Sequence, residues 1–132
     1  MPHEMISAAG EILAVLVTKE TEFHETTFVS DPAAPLQLGF IAYGAGETLP
    51  RHVHVPVTRS LDITCEFVSV RKGSCAIDIY DDAKHLIATR ELREGDAVLL
   101  LAGGHSFHMH EDTVLTEVKQ GPYFGEGEKE LF

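Results

Sequence analysis

Two histidines spaced two residues apart are the first feature of the sequence that suggests chemistry. His52 and His54 lie in the segment 46–54, GETLPRHVH, whose end has the alternation of an extended strand. Because residues i and i+2 of a strand project from the same face, both imidazoles can reach one metal ion. The alternative interpretation is a pair of exposed imidazoles on an edge strand.

A carboxylate and a third histidine follow at positions where side chains are expected to point inward. Glu66 shares its strand parity with Val68 and Val70, so a metal ion would compensate its charge on an otherwise apolar face. His105 follows two glycines, which permit a positive φ and let the chain turn the imidazole inward. Imidazoles with one carboxylate suit zinc, iron, nickel or copper and leave coordination positions open for a substrate. The alternatives are a carboxylate paired with a nearby arginine and a histidine that only follows a tight turn.

Two further side chains are candidates for contact with a substrate. Arg59 can bind a carboxylate or phosphate through its two-pronged guanidinium group, and Tyr43 can line a pocket. The alternatives are a surface arginine and a core tyrosine. His108 and His110 have the opposite strand parity to His105, so they are predicted on the surface.

The elements that must position these side chains are predicted to be strands. Short apolar runs of period two recur between Gly, Pro and Asp turn signals, and no segment keeps a helical period over three turns. The predicted strands cover residues 11–19, 26–30, 36–43, 52–55, 65–71, 75–80, 86–92, 97–101, 106–109 and 113–120. This number of strands suits an all-β fold, either a two-sheet sandwich or a barrel.

Turn signals between the strands indicate how the chain is divided. The clearest hairpin joins residues 75–80 to residues 86–89 across the polar turn 81–85. The segment 31–35, DPAAP, is predicted to be a rigid connector after the first 30 residues, and a Gly-Pro pair releases a polar tail over residues 121–132.

Length and charge narrow the class of protein. The 132 residues suit one domain, and 10 Lys and Arg against 21 Asp and Glu give a net charge of −11. This charge repels phosphate backbones and anionic membranes, so neither nucleic acid nor a membrane is an expected partner. The two cysteines are too few for a disulfide framework, and the apolar runs are too short for a signal peptide or a membrane span. A cytoplasmic location is therefore expected.

The order of the glycines and candidate ligands resembles the two motifs of the cupin superfamily over residues 46–105. The residues that carry this resemblance are Gly46, His52, His54, Glu66, Gly73, Gly95 and His105. The resemblance implies a small, commonly dimeric β-barrel, the double-stranded β-helix or jelly roll, with one divalent ion of iron, manganese, nickel or zinc. The metal ligands that it implies are His52, His54, Glu66 and His105.

The chain departs from the family between its second and third implied ligands. The 11 residues from His54 to Glu66 exceed the usual gap, which implies an inserted loop with Arg59 at the pocket mouth. Asp62, which has the parity of Glu66, is then an alternative ligand. Segments 103–107 and 117–123 are similar to a subgroup of small single-domain bacterial cupins without an assigned reaction, some of them associated with sugar or surface-polysaccharide metabolism.

Together these features favour a metal-dependent enzyme that acts on a small polar metabolite, such as a sugar or sugar acid, as an isomerase or epimerase. The same ligands with ferrous iron would support a dioxygenase. A non-catalytic module that binds a small ligand competes with both, because no further general acid or base stands out. A structural sandwich with incidental histidines is a third possibility. A homodimer is expected, in which strands of residues 1–30 add to the neighbour's sheet.

Overall fold

A computed structural model describes residues 3–132, and this part of the chain is all-β, as predicted. The strands of the described part are β1 (Glu4–Ala8), β2 (Glu11–Val17), β3 (Thr27–Phe28), β4 (Gly39–Phe40), β5 (Glu66–Lys72), β6 (Ser74–Tyr80), β7 (Leu86–Arg93), β8 (Ala97–Leu100), β9 (Gly104–Met109) and β10 (Val114–Lys119). A short 3-10 turn, Glu126–Glu128, follows β10. Residues 3–132 contain no helix with the length and apolar character that crossing a membrane requires.

Antiparallel pairing arranges these strands in two main sheets. The larger sheet has the order β1-β2-β8-β5-β10, and the smaller has the order β7-β6-β9. Strands β3 and β4 pair with each other. Among residues 3–132 neither main sheet closes into a barrel, so β1, β10, β7 and β9 each lie at a sheet edge.

The main apolar core lies between the two main sheets. Ile77 and Ile79 of β6 pack in one buried cluster with Val98 and Leu100 of β8. Side chains alternate between buried and half-buried along β6, because successive residues of a strand point to opposite faces. Burial of each such Ile, Val or Leu side chain contributes about 1.5–3 kcal/mol to folding.

A second apolar cluster lies on the other face of the larger sheet. Val15 of β2 and Leu99 of β8 are fully buried there against Val29 and Phe40, which belong to the segment 18–40. Strands β2 and β8 are therefore covered on both faces. This explains why they read as continuous apolar runs rather than alternating ones.

The predicted hairpin over residues 75–89 is confirmed. Strands β6 and β7 pair from Ser74 with Arg93 to Tyr80 with Leu86, and the polar turn lies where its sequence placed it. Strand β1 was not predicted. It forms a hairpin with β2 through Ala9 and Gly10, whose positive φ values of 51° and 81° suit a two-residue hairpin turn.

An ion pair joins the edges of the two sheets and gives a pH-dependent prediction. The Arg90 guanidinium on β7 donates to both Glu4 carboxylate oxygens on β1, at 2.9 and 2.7 Å. This bond lowers the pKa of Glu4 from 4.5, so its stabilisation is complete above that pH and is lost as the pH falls further. Since both side chains are nearly half exposed, we expect Glu4→Gln to lower the free energy of unfolding by only about 0.5–1 kcal/mol at pH 7.

Urea unfolding of wild type and Glu4→Gln at pH 7 and at pH 3 measures this difference. Exposed Glu25, changed to Gln, is the matched control, for which we expect no loss at either pH. A Glu4→Gln deficit that stayed the same at pH 3 would contradict the ion-pair explanation.

A long segment without strands separates β4 from β5. We call residues 41–64 the arm. The strand predicted over residues 52–55 is wrong, because no neighbouring strand pairs with it in the described chain. Pro50 and Pro56 flank this part of the arm, and proline has no N–H to donate to a strand ladder.

Candidate functional site

Glu66 and His105 meet at the mouth of the space between the two main sheets. Glu66 begins β5 and lies opposite Leu100 of β8, while His105 lies on β9 opposite Ile79. The His105 Nε2 atom is 3.4 Å from a Glu66 carboxylate oxygen, and their side chains are 31% and 13% exposed. The parity prediction for Glu66 is thus confirmed, because it shares its face with buried Val68 and Val70.

The neighbourhood of Glu66 favours its ionised form. The nearby His105 imidazole, as a hydrogen-bond donor and a positive neighbour, lowers the pKa of Glu66 more than burial raises it. Lys119, which lies opposite Glu66 in the β10 register, lowers that pKa further. An ionised carboxylate beside an imidazole is a donor pair that divalent transition metals accept.

A cavity of about 570 Å³ opens at this pair. Ile63, Thr64 and Leu100 form part of its wall, and Lys119 brings an ammonium group to it. This volume suits a small metabolite, since pockets for small molecules span roughly 300–1,000 Å³.

The C-terminal tail forms another part of the cavity wall. It is exposed, as predicted, but it folds back, because the Phe132 ring packs edge-to-face on Tyr80 with centroids 5.1 Å apart. Glu130 adds an ion pair with Lys84 at 3.0 Å. The tail therefore contacts the end of the smaller sheet beside His105.

His52 and His54 form a second pair on the arm. Their ring centroids are 5.2 Å apart and the rings are nearly perpendicular. The Pro50 carbonyl oxygen lies 2.8 Å from Nδ1 of His52, and since a carbonyl only accepts, that nitrogen is the donor. A proton on Nδ1 leaves Nε2 as the His52 nitrogen whose lone pair can bind a metal.

The single chain does not bring the two pairs together. Within residues 3–132, no group of three or more His, Cys, Asp or Glu side chains is gathered closely enough to hold a metal ion. The cavity wall includes neither His52 nor His54. Imidazole and carboxylate groups are suitable ligands for a divalent metal. Within the single chain, however, each pair would provide only two of the four protein ligands.

The remaining candidates do not contribute to the cavity either. Arg59, Asp62 and Tyr43 are exposed side chains of the arm, and none of them lines the cavity wall. The placement of Glu66 beside His105 therefore favours Glu66 over Asp62 as the acidic partner.

The histidines outside these pairs have other neighbours. His108 and His110 are exposed, as predicted, and His110 pairs with Glu91 at 2.6 Å. His3 is half-buried, with its Nδ1 atom shielded from solvent.

The two cysteines are free and buried in different clusters. Burial raises the pKa of both thiols, Cys65 and Cys75. A thiol kept protonated is a poor nucleophile, and packing in the two apolar clusters accounts for both residues.

Sequence reasoning gave no role to Lys119 or Phe132. The only signal for Lys119 in the sequence is its spacing of two residues from Glu117, since its place opposite Glu66 depends on the pairing of β10 with β5. Phe132 gives no such signal, since its place depends on how the tail folds back.

Comparison of the chain with models of protein families, with characterised proteins and with solved structures found no match.

Proposed function

We propose that this chain binds one divalent metal ion at Glu66 and His105, with His52 and His54 as the other protein ligands, and uses it on a small polar metabolite. The observation that carries the proposal is the 3.4 Å approach of a carboxylate and an imidazole at the mouth of a cavity of metabolite size. The resemblance to the cupin motifs supports the same four ligands. A jelly-roll arrangement of the two sheets is part of this proposal.

The bound ion would polarise hydroxyl, carbonyl or carboxylate oxygens of the metabolite. Lys119 is the residue on the cavity wall best suited to pair with a substrate carboxylate. Apolar Leu100 and Phe132 would limit the access of water. Isomerisation or epimerisation of a sugar or sugar acid is the reaction class that we propose first.

A dioxygenase reaction is the second candidate, to be separated from isomerisation by the metal that the protein retains and by oxygen uptake. We further propose a homodimer in the cytoplasm. The two free thiols support that compartment, because reducing surroundings keep cysteines unpaired.

Metal content of protein purified without a histidine tag tests the proposal. We expect close to one ion of iron, manganese, nickel or zinc per wild-type chain, measured by plasma mass spectrometry after reloading. Replacing a residue that only hydrogen-bonds to a metal ligand lowers metal affinity roughly 10–100-fold. In Glu66→Gln and His105→Ala a ligand itself is changed, so the metal affinity should fall by more than this.

Two variants serve as matched controls for this measurement. Asp62→Ala removes the rival carboxylate, and His108→Ala removes an exposed histidine of the same strand as His105. We expect both to keep the wild-type metal content. Wild-type protein that bound none of the four metals would overturn the proposed function.

A further inference from the structure

The arm exposes an unusual number of large apolar side chains. These residues, between 41% and 86% exposed, are Ile41, Tyr43, Leu49, Val53, Val55, Val57, Leu61 and Ile63. Soluble chains seldom leave large apolar surfaces open unless another surface covers them. Within the described chain, residues 48–64 make no backbone hydrogen bond to any residue outside the arm.

The smaller sheet has a matching open side at β9. Strand β9 pairs with β6 along one side, and no described strand pairs with its other side. An unpaired strand edge presents N–H and C=O groups to an incoming strand. Val53, Val55 and Val57 alternate as strand residues do, and β-branched side chains suit a sheet. Pro56 is compatible with an added edge strand in which its nitrogen faces solvent, because no ladder hydrogen bond is needed on that side.

We infer that the arm of one copy docks along β9 of a second copy, so that His52 and His54 of one protomer complete a site with Glu66 and His105 of the other. The inference rests on the metal site proposed above. It accounts for the separation of the two ligand pairs in the single chain, because each protomer then supplies one half of each site. Two-fold symmetry makes the exchange reciprocal, which gives two equivalent sites per dimer.

Charge supports a second copy as the occupant. The arm contains Arg51 and Arg59 in its central stretch, residues 48–61, and its two acidic residues, Glu47 and Asp62, lie outside that stretch, although the whole chain has a net charge of −11. The cavity beside β9 has the opposite balance, since its charged wall residues are Glu66, Asp82, Glu128 and Glu130 against Lys119 and Lys129. Complementary charge of this kind favours the encounter and fixes its register.

Size supports the same occupant. The arm comprises 24 residues, and a stable protein interface involves roughly 20–30 residues on each side. A second copy also supplies the carboxylate and imidazole that the histidine pair lacks. This proposal places the arm at the interface, rather than the N-terminal strands, because the arm carries the histidine pair that the site lacks.

Complementation between two variants, each of which lacks one of the two ligand pairs, tests the inference. One variant carries His52→Ala and His54→Ala, and the other carries Glu66→Gln and His105→Ala. Each should lose metal alone. Co-expressed with different tags and purified as the heterodimer, they should recover about half of the wild-type zinc or manganese content per chain. One of the two sites is then intact, with its arm from the second variant and its cavity from the first.

The outcomes separate the inference from the proposed function. A folded heterodimer without metal, beside a wild-type protein that binds one ion per chain, would overturn the inference and leave the proposed function standing. A wild-type protein that binds no metal would overturn the proposed function and the shared site with it.

The oligomeric state provides a second measurement that does not depend on metal. We expect Val55→Asp to convert the dimer to a monomer in light scattering, because it introduces a charge into the docked arm. Val114→Asp changes another exposed valine, which lies on β10 and is 50% exposed against 72% for Val55, and this variant should remain a dimer. Dimeric Val55→Asp, or monomeric wild type, would overturn the docking of the arm.

Discussion

Gly103→Ala is expected to be strongly destabilising, with a loss of about 3 kcal/mol in the free energy of unfolding. Gly103 has a φ of +70°, in the left-handed region that an alanine adopts only at a cost. A Cβ atom at this position would also overlap the Tyr80 carbonyl oxygen, which is backbone and cannot move aside freely. The overlap therefore pushes the chain away from β6 two residues before His105.

Urea unfolding measures this loss, and Gly10→Ala is the matched control. Gly10 also has a positive φ, of 81°, but a Cβ there would meet no atom within 4 Å. In that variant the only cost is that alanine must adopt a positive φ, so we expect the free energy of unfolding to fall by about 1 kcal/mol. Equal losses for both variants would contradict the close approach of Gly103 to Tyr80.

Asp96→Ala is expected to lower the free energy of unfolding by about 2–3 kcal/mol, because it removes the acceptors of two backbone donors. Asp96 is buried, and its two carboxylate oxygens accept hydrogen bonds from the Lys19 and Arg93 N–H groups, both at 2.8 Å. Its own backbone carbonyl accepts from the Val70 N–H. The residue thus joins the end of β2, the end of β7 and the middle of β5.

The Asn variant discriminates between loss of these bonds and loss of packing. Asp96→Asn keeps the size of the side chain and one acceptor oxygen, so its deficit should be about half of that of Asp96→Ala. Glu94→Ala, two residues away and exposed, is the control in the same urea measurement. If Asp96→Ala had the wild-type free energy of unfolding, the Lys19 and Arg93 N–H groups would be equally well hydrogen-bonded by water, which would contradict the prediction.

Most of the strands could be predicted from the sequence because they coincide with local patterns of apolar and polar residues. The hairpin of β6 and β7 follows from strict alternation on either side of a polar turn, and β8 follows from a short apolar run after Gly95. Strand β1 could not be predicted in the same way. Its sequence, EMISA, is short and has little alternation, and it is a strand because the turn at Gly10 folds it onto β2.

The candidate site also has a part that could be predicted from local sequence and a part that could not. Glu66 and His105 could be placed from strand parity and from the glycines before His105, and they do meet. The strand at His52 could not be decided locally, because alternation indicates that a segment can pair but not that a partner is available. Pairing depends on the path of the whole arm, and a single sequence does not record that path.

In the proposed metal site, the two histidines of the arm and the Glu66–His105 pair have different structural support, which affects how such a site could change over generations. Glu66 lies on a strand with hydrogen-bonded neighbours on both sides, so most replacements there disturb the sheet as well as the ligand. His52 and His54 lie on exposed chain, where replacements have little effect on the folding of the protomer. Selection can therefore alter the donor atoms of the arm one mutation at a time, while the sheet pair is inherited unchanged. If the proposed metal site is present, we expect descendants of this chain to differ in metal preference mainly through residues 41–64.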